Sequence, residues 1–375
     1  MRFVALLLLA TACGGRTSRD ERTVRDVQLE GAAIDLDDWD AWSVSPDGKL
    51  IVVAPGFRRD HAVVIDVASG ACESRDGVLL PADSPLFRLH GTPQLWDEAA
   101  QRGFATPPED FSKLDYEGFR NDGAGRLVRL ARFGNARLTL QVWDRQEAVS
   151  WSKEFLPAPD TAGVAISPSG DVVAMVEASA ERAMTVTAYD TRNGTRRWSV
   201  AASVRPNGSP FLNQRIEFSD DGALIWINGL QVGSNDGMLE SLYVSDGAKA
   251  SSVPIDRTMP NVDGDTNAGD AAFIGAYLWT ATVRHARPVR RHGGPPVEDH
   301  WVCEYTLYRL GRPSPVVWTS VRADDRRAVF GSADRDNCTA RAMRPLRGGA
   351  VMAVRTHGSG LRITTWKLPP GAQSE

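Results

Sequence analysis

Asp263, Asp265, Asn267 and Asp270 set oxygen ligands at the first, third, fifth and eighth positions of one loop, a spacing that resembles calcium-binding loops. Glycine falls at the seventh position rather than the sixth, and Ile274 stands at the twelfth, where a bidentate Glu completes such a site. The loop therefore reads first as a solvated turn between strands and second as a calcium site. A basic run, Arg284, Arg287, Arg290 and Arg291 with His285 and His292, could meet phosphates or another acidic surface. Gly293, Gly294, Pro295 and Pro296 follow it, so it reads as an irregular loop. Asp35, Asp37, Asp38 and Asp40 form an acidic connector nearer the N-terminus.

Covalent and acid–base chemistry find less support. Ser359 lies in His357-Gly358-Ser359-Gly360, which lacks the Gly-x-Ser-x-Gly frame of a nucleophile elbow. The six histidines show no His-x-x-x-His pair, and the cysteines form no Cys-x-x-Cys. Outside an N-terminal Cys13, the cysteines are Cys72, Cys303 and Cys338, an odd number that permits at most one internal bridge. Cys303 and Cys338 are the expected pair in an oxidising compartment. A formal net charge of -4 excludes a nucleic-acid binder that works by global charge.

The elements that must carry these residues repeat. Ala41 to Ala54, Gly163 to Ala178 and Arg215 to Gly229 each read as strand, tight turn, strand, and each is followed by a further hairpin. The turns are Ser45-Pro46-Asp47-Gly48, Ser167-Pro168-Ser169-Gly170 and Ser219-Asp220-Asp221-Gly222, with a weaker copy over Tyr116 to Arg132. Pro presets φ, Asp and Ser bond locally to the backbone, and Gly supplies the left-handed position of a tight reversal. A four-strand unit recurring every ~40 to 50 residues is the mark of a β-propeller blade.

These segments resemble WD-repeat blades. Ala188-Tyr189-Asp190-Thr191-Arg192-Asn193-Gly194-Thr195-Arg196-Arg197-Trp198 is similar to the docking repeat of quinoprotein-like propellers, with a degraded copy at Asp144 and Trp151. The resemblance implies that the Trp packs between blades and implies no cofactor. Met1 to Cys13 (MRFVALLLLATAC) resembles a bacterial lipoprotein signal, with Ala10 where a larger aliphatic residue is usual. That resemblance implies a lipid on Cys13, export, and an outer-membrane location.

The expectation is thus an all-β chain, a single propeller of four-stranded blades. Residues 1–13 are the signal, 14–23 a tether, 24–368 the disc and 369–375 a tail. Seven blades are expected, six being the alternative, with Val24 to Leu29 closing the last blade as its fourth strand. A short helix is expected over 92–103, with Thr92 as cap, Pro93 at the first turn and Gly103 as the stop. The functional expectation is a monomeric, non-enzymatic envelope lipoprotein that binds an unidentified protein partner. A ligand or calcium sensor, and an enzyme with a site in the central channel, are the alternatives.

Overall fold

A computed structural model describes residues 22–29, 41–54, 61–80, 82, 84–90, 94–106, 114–121, 125–134, 136–144, 148–178, 183–206, 216–219, 221–233, 237–254, 271–274, 277–286, 300–309, 316–323, 342–346, 350–357 and 360–367. Every element among them is a strand. The first unit comprises β2 (Ala41–Val44), β3 (Leu50–Ala54), β4 (His61–Asp66) and β5 (Cys72–Leu80), and continues into β6 (Leu86–Leu89), β7 (Gln94–Asp97) and β8 (Arg102–Ala105) as one seven-stranded sheet. Four-stranded sheets follow: β9 (Leu114–Asn121), β10 (Leu127–Phe133), β11 (Arg137–Trp143) and β12 (Val149–Phe155); then β13 (Thr161–Ile166), β14 (Val172–Ala178), β15 (Thr185–Asp190) and β16 (Arg196–Ala201). In the next sheet β17 (Val204–Arg205) and β18 (Ile216–Phe218) together flank β19 (Leu224–Gln231), followed by β20 (Gly237–Tyr243) and β21 (Lys249–Pro254). The last two hold β22 (Ala271–Ile274), β23 (Tyr277–Ala286), β24 (His300–Arg309) and β25 (Val316–Ala323), then β26 (Ala342–Leu346), β27 (Ala350–His357) and β28 (Gly360–Lys367).

The last sheet gains its fourth strand from the other end of the chain. β1 (Arg22–Gln28) pairs antiparallel with β28, from Arg22 opposite Trp366 to Gln28 opposite Gly360. Val27 is thereby buried with Leu361, Ile363, Val354 and the first unit's Val44 and Ile51. This is the expected closure, begun two residues earlier than the sequence suggested.

β5 serves two units. Cys72 to Asp76 pair with β4 and are largely exposed, whereas Gly77 to Leu80 pair with β6 and are mostly buried. Divided there, the strands make seven four-stranded meanders; counted as continuous sheets, they make six. First strands of successive units pack together at five of the seven junctions, β5 on β9, β9 on β13, β13 on β18, β22 on β26 and β26 on β2, the last joining the end of the ring to its start.

The expected helix over 92–103 is replaced by β7, a turn and β8. Leu95 and Phe104 are buried against the third unit while Trp96 packs toward the first, so a two-residue period covers both faces. Asp97 Oδ1 accepts from the backbone N–H of Ala99 (3.0 Å) and Ala100 (3.1 Å), and Gln101 takes a left-handed φ of 52°. Asp97 here closes a hairpin turn, because alternate residues of a strand, Leu95 and Trp96, meet the units on either side.

Candidate functional site

In an antiparallel meander, the first and third turns lie at one end, and the second turn lies at the other with the link to the next unit. At the first of these ends the turns of the first, third, fourth and fifth units, residues 45–49, 67–71, 122–126, 144–148, 167–171, 191–195, 219–223 and 244–248, are all five residues long. Local chemistry fixes several of them. Gly48, Gly170 and Gly222 donate N–H to the carbonyls of Ser45, Ser167 and Ser219, whose hydroxyls accept from Leu50, Val172 and Leu224. Burial raises the Asp171 carboxyl, but hydrogen bonds from Ser169 and Ser167 outweigh it and hold it below its ordinary value.

These turn ends lie on one face of the ring. Trp151 Nε1 donates to Thr191 O (2.7 Å) and Trp198 Nε1 to Val244 O (2.8 Å), each reaching from an outer strand to the third turn of the next unit. A Cβ on Gly194 would lie 2.9 Å from the Trp151 ring, and one on Gly247 would lie 2.7 Å from Trp198. Both glycines also hold positive φ, so a side chain there is excluded by strain and by space. The docking role that the sequence resemblance implies for these tryptophans is what the geometry shows.

The opposite end, the link end, carries the long connections. Residues 29–40, 255–270, 287–299 and 324–341 join strands there, whereas no connection at the turn end between described strands exceeds six residues in the units just considered or in the sixth and seventh. Leu156 (69% exposed) and Val232 (46% exposed) also lie at this end. Arg132 braces it: Nη1 donates to Asp160 O (2.7 Å) and Pro159 O (3.2 Å), and Nε to Gly134 O (3.2 Å).

Asp263, Asp265, Asn267 and Asp270 fall in 255–270, Arg287, Arg290 and Arg291 in 287–299, and Cys338 in 324–341; these residues and Cys13 lie outside the described ones. Arg284 departs from its expected loop. It is part of β23, opposite Val302 of β24, because the hairpin ladder runs on to Ala286 and His300. Cys303 lies in β24 opposite Val283 and Ala323. Among the described residues no group of three His, Cys, Asp or Glu could hold a metal ion.

Sequence reasoning missed a buried ion network between the second and third units. Glu117 of β9 accepts a hydrogen bond from Arg129 Nε of β10 (2.9 Å), with Nη2 in ionic contact at 2.9 Å, and is bridged by Arg88 of β6 from the neighbouring unit. Arg129 Nη1 donates to Gln141 Oε1 of β11 (2.9 Å). Glu117 and Arg129 are 3% and 1% exposed, so the charges are removed from water and depend on one another. Arg129 interrupting the apolar run from Leu127 to Phe133 is the one sequence signal that pointed here. The network ties two units together and offers no carboxyl to a reactant.

A separate carboxyl behaves differently. The carboxyl of Glu177 in β14 has no hydrogen-bond partner among the described residues, and burial raises it above the ordinary 4.5. The folded state then binds more protons than the unfolded state just above that value, and stability falls as pH rises through the folded range. Glu177→Gln is expected to raise the melting temperature at pH 7 and to leave it unchanged below pH ~4; an equal shift at both pH values rejects the assignment.

No family model matches the chain, and no curated protein matches it. Solved structures do. The chain is similar to the WD40 domain of Toxoplasma gondii coronin at 10% identity and a TM-score of 0.54, covering 93% of this chain and 87% of that one. It is also similar to a europium-containing methanol dehydrogenase (10% identity, 88% and 77% covered, TM-score 0.45) and to the WD40 domain of fission yeast SCAP (8%, 94% and 99%, 0.42). The coronin likeness shows the fold, a β-propeller.

Proposed function

We propose that this propeller is a lipid-anchored protein of the bacterial cell envelope, held at the outer membrane through Cys13, that binds a protein partner and carries no catalysis of its own. One observation carries the reading: the unequal ends of the ring. The turn end is consumed by short turns and blade docking, while at the link end the described strands are separated by the longest stretches of sequence and Leu156 and Val232 are exposed. Binding residues concentrate on loops that a rigid scaffold positions. The hydrophobic leader ending in Ala12-Cys13 supports the anchor, and mass spectrometry of the N-terminal peptide tests it separately.

A photo-crosslinking residue at 156 or 232 is expected to trap one discrete envelope partner in intact cells, and the same residue at 193 or 221 is expected to trap none. Adducts from the turn-end positions alone, or none from either end, overturn the proposal.

A further inference from the structure

At the link end, the seam between the third and fourth units holds a carboxyl without a counter-charge and an exposed apolar side chain. Glu177 follows Val173 and Met175 along the face of β14 that packs on the third unit, and it stands opposite Ala162, one pair from the link end of that hairpin. The carboxyl is partly exposed, and burial alone moves it: no cation among the described residues offsets the water it has lost. Leu156 lies in the link that enters β13 and points outward. Its neighbours Phe155 and Ala158 pack on the same apolar cluster as Ala162, Val173 and Met175. Leu156 and Glu177 therefore share one seam and one end of the disc.

The cations of this seam are engaged elsewhere. Arg132 donates to the carbonyls of Gly134, Pro159 and Asp160, Lys153 Nζ lies 4.7 Å from the centre of the Tyr189 ring, and Arg137 pairs with Glu154 at 3.3 Å. A carboxylate deprived of water without a counter-charge costs the fold free energy, and a cation brought by another molecule recovers that loss. The apolar neighbour narrows the choice of cation. Lysine and arginine lay an aliphatic stem along apolar surface while the charged head reaches a polar group, which is the pairing that Leu156 and Glu177 offer.

We infer that the protein partner docks on this seam through a lysine or arginine side chain that lies across Leu156 and places its charged head on Glu177. This rests on the reading of the link end as the binding face and adds the chemistry of the partner's anchoring residue. The test uses the full chain in intact cells with an apolar photo-crosslinking residue at 156, which keeps the apolar contact. The adduct is expected to fall about tenfold with Glu177→Gln, the loss of one charged hydrogen bond, and to vanish with Glu177→Lys. Glu154→Gln, whose carboxyl already has Arg137, should leave it unchanged. Mass spectrometry of the adduct should find a lysine or arginine in the trapped segment, and changing that residue to Glu should restore the adduct of Glu177→Lys. An adduct undiminished by both Glu177 changes, an equal loss with Glu154→Gln, or a trapped segment without lysine or arginine overturns the inference. A partner trapped from 232 and not from 156 also overturns it and leaves the binding-face reading standing, whereas no adduct from either position overturns both. Glu177→Gln is expected to melt higher at pH 7, so a lost adduct in that variant reports lost contact and not lost fold.

Discussion

Replacing Glu117 with Ala is expected to destabilise the protein by about 3–5 kcal/mol, measured as a fall in the midpoint of denaturant unfolding at an unchanged slope. The carboxylate is the shared counter-charge of Arg129 and Arg88, so its removal leaves two guanidinium groups facing each other where water is excluded. Gln141 still accepts from Arg129 Nη1, but a neutral amide does not replace the lost charge. Glu117→Met together with Arg129→Met removes both buried charges and should cost markedly less than Glu117→Ala alone. If the single and double variants lose the same stability, the network acts through packing and not through charge.

Trp198→Ala is expected to cost about 3 kcal/mol by the same measurement. Its indole lies on the turn at Gly247 and gives Nε1 to Val244 O, so the change opens a space between the fourth and fifth units and leaves that carbonyl without its donor. Gly247→Val attacks the same contact from the other side, through strain at positive φ and a ring 2.7 Å from the new Cβ. Because both changes break one dock, their combined cost should fall well short of the sum. Additive losses would show that the two residues act independently.

How much of this was legible depends on whether a feature is local. The turn grammar was readable, since Ser45 to Gly48, Ser167 to Gly170 and Ser219 to Gly222 specify their reversals through bonds that span five residues. The docking of Trp198 was readable through its repeat. The segment 92–103 was misread because Thr92, Pro93 and Gly103 satisfy the rules for helix ends, and those rules do not register that Leu95 and Trp96 are covered from opposite sides. Arg88, Glu117 and Arg129 carry no signature as a group. They come from three strands and two units, and only the packing of the second unit on the third brings them within bonding distance.

The sequence by itself thus determined an all-β ring, the reversal chemistry of its repeats, and closure by the N-terminal strand, because a hairpin's partners are neighbours in the chain and a repeat announces its own period. Tertiary structure decided the rest. It split β5 between two sheets, made Arg284 part of a strand, and buried an ion network across a seam. It also gathered the long connections at one end of the disc and the docking turns at the other. Those outcomes depend on which surfaces meet, and a burial on two faces or a shared counter-charge exists only once separate strands have been brought together.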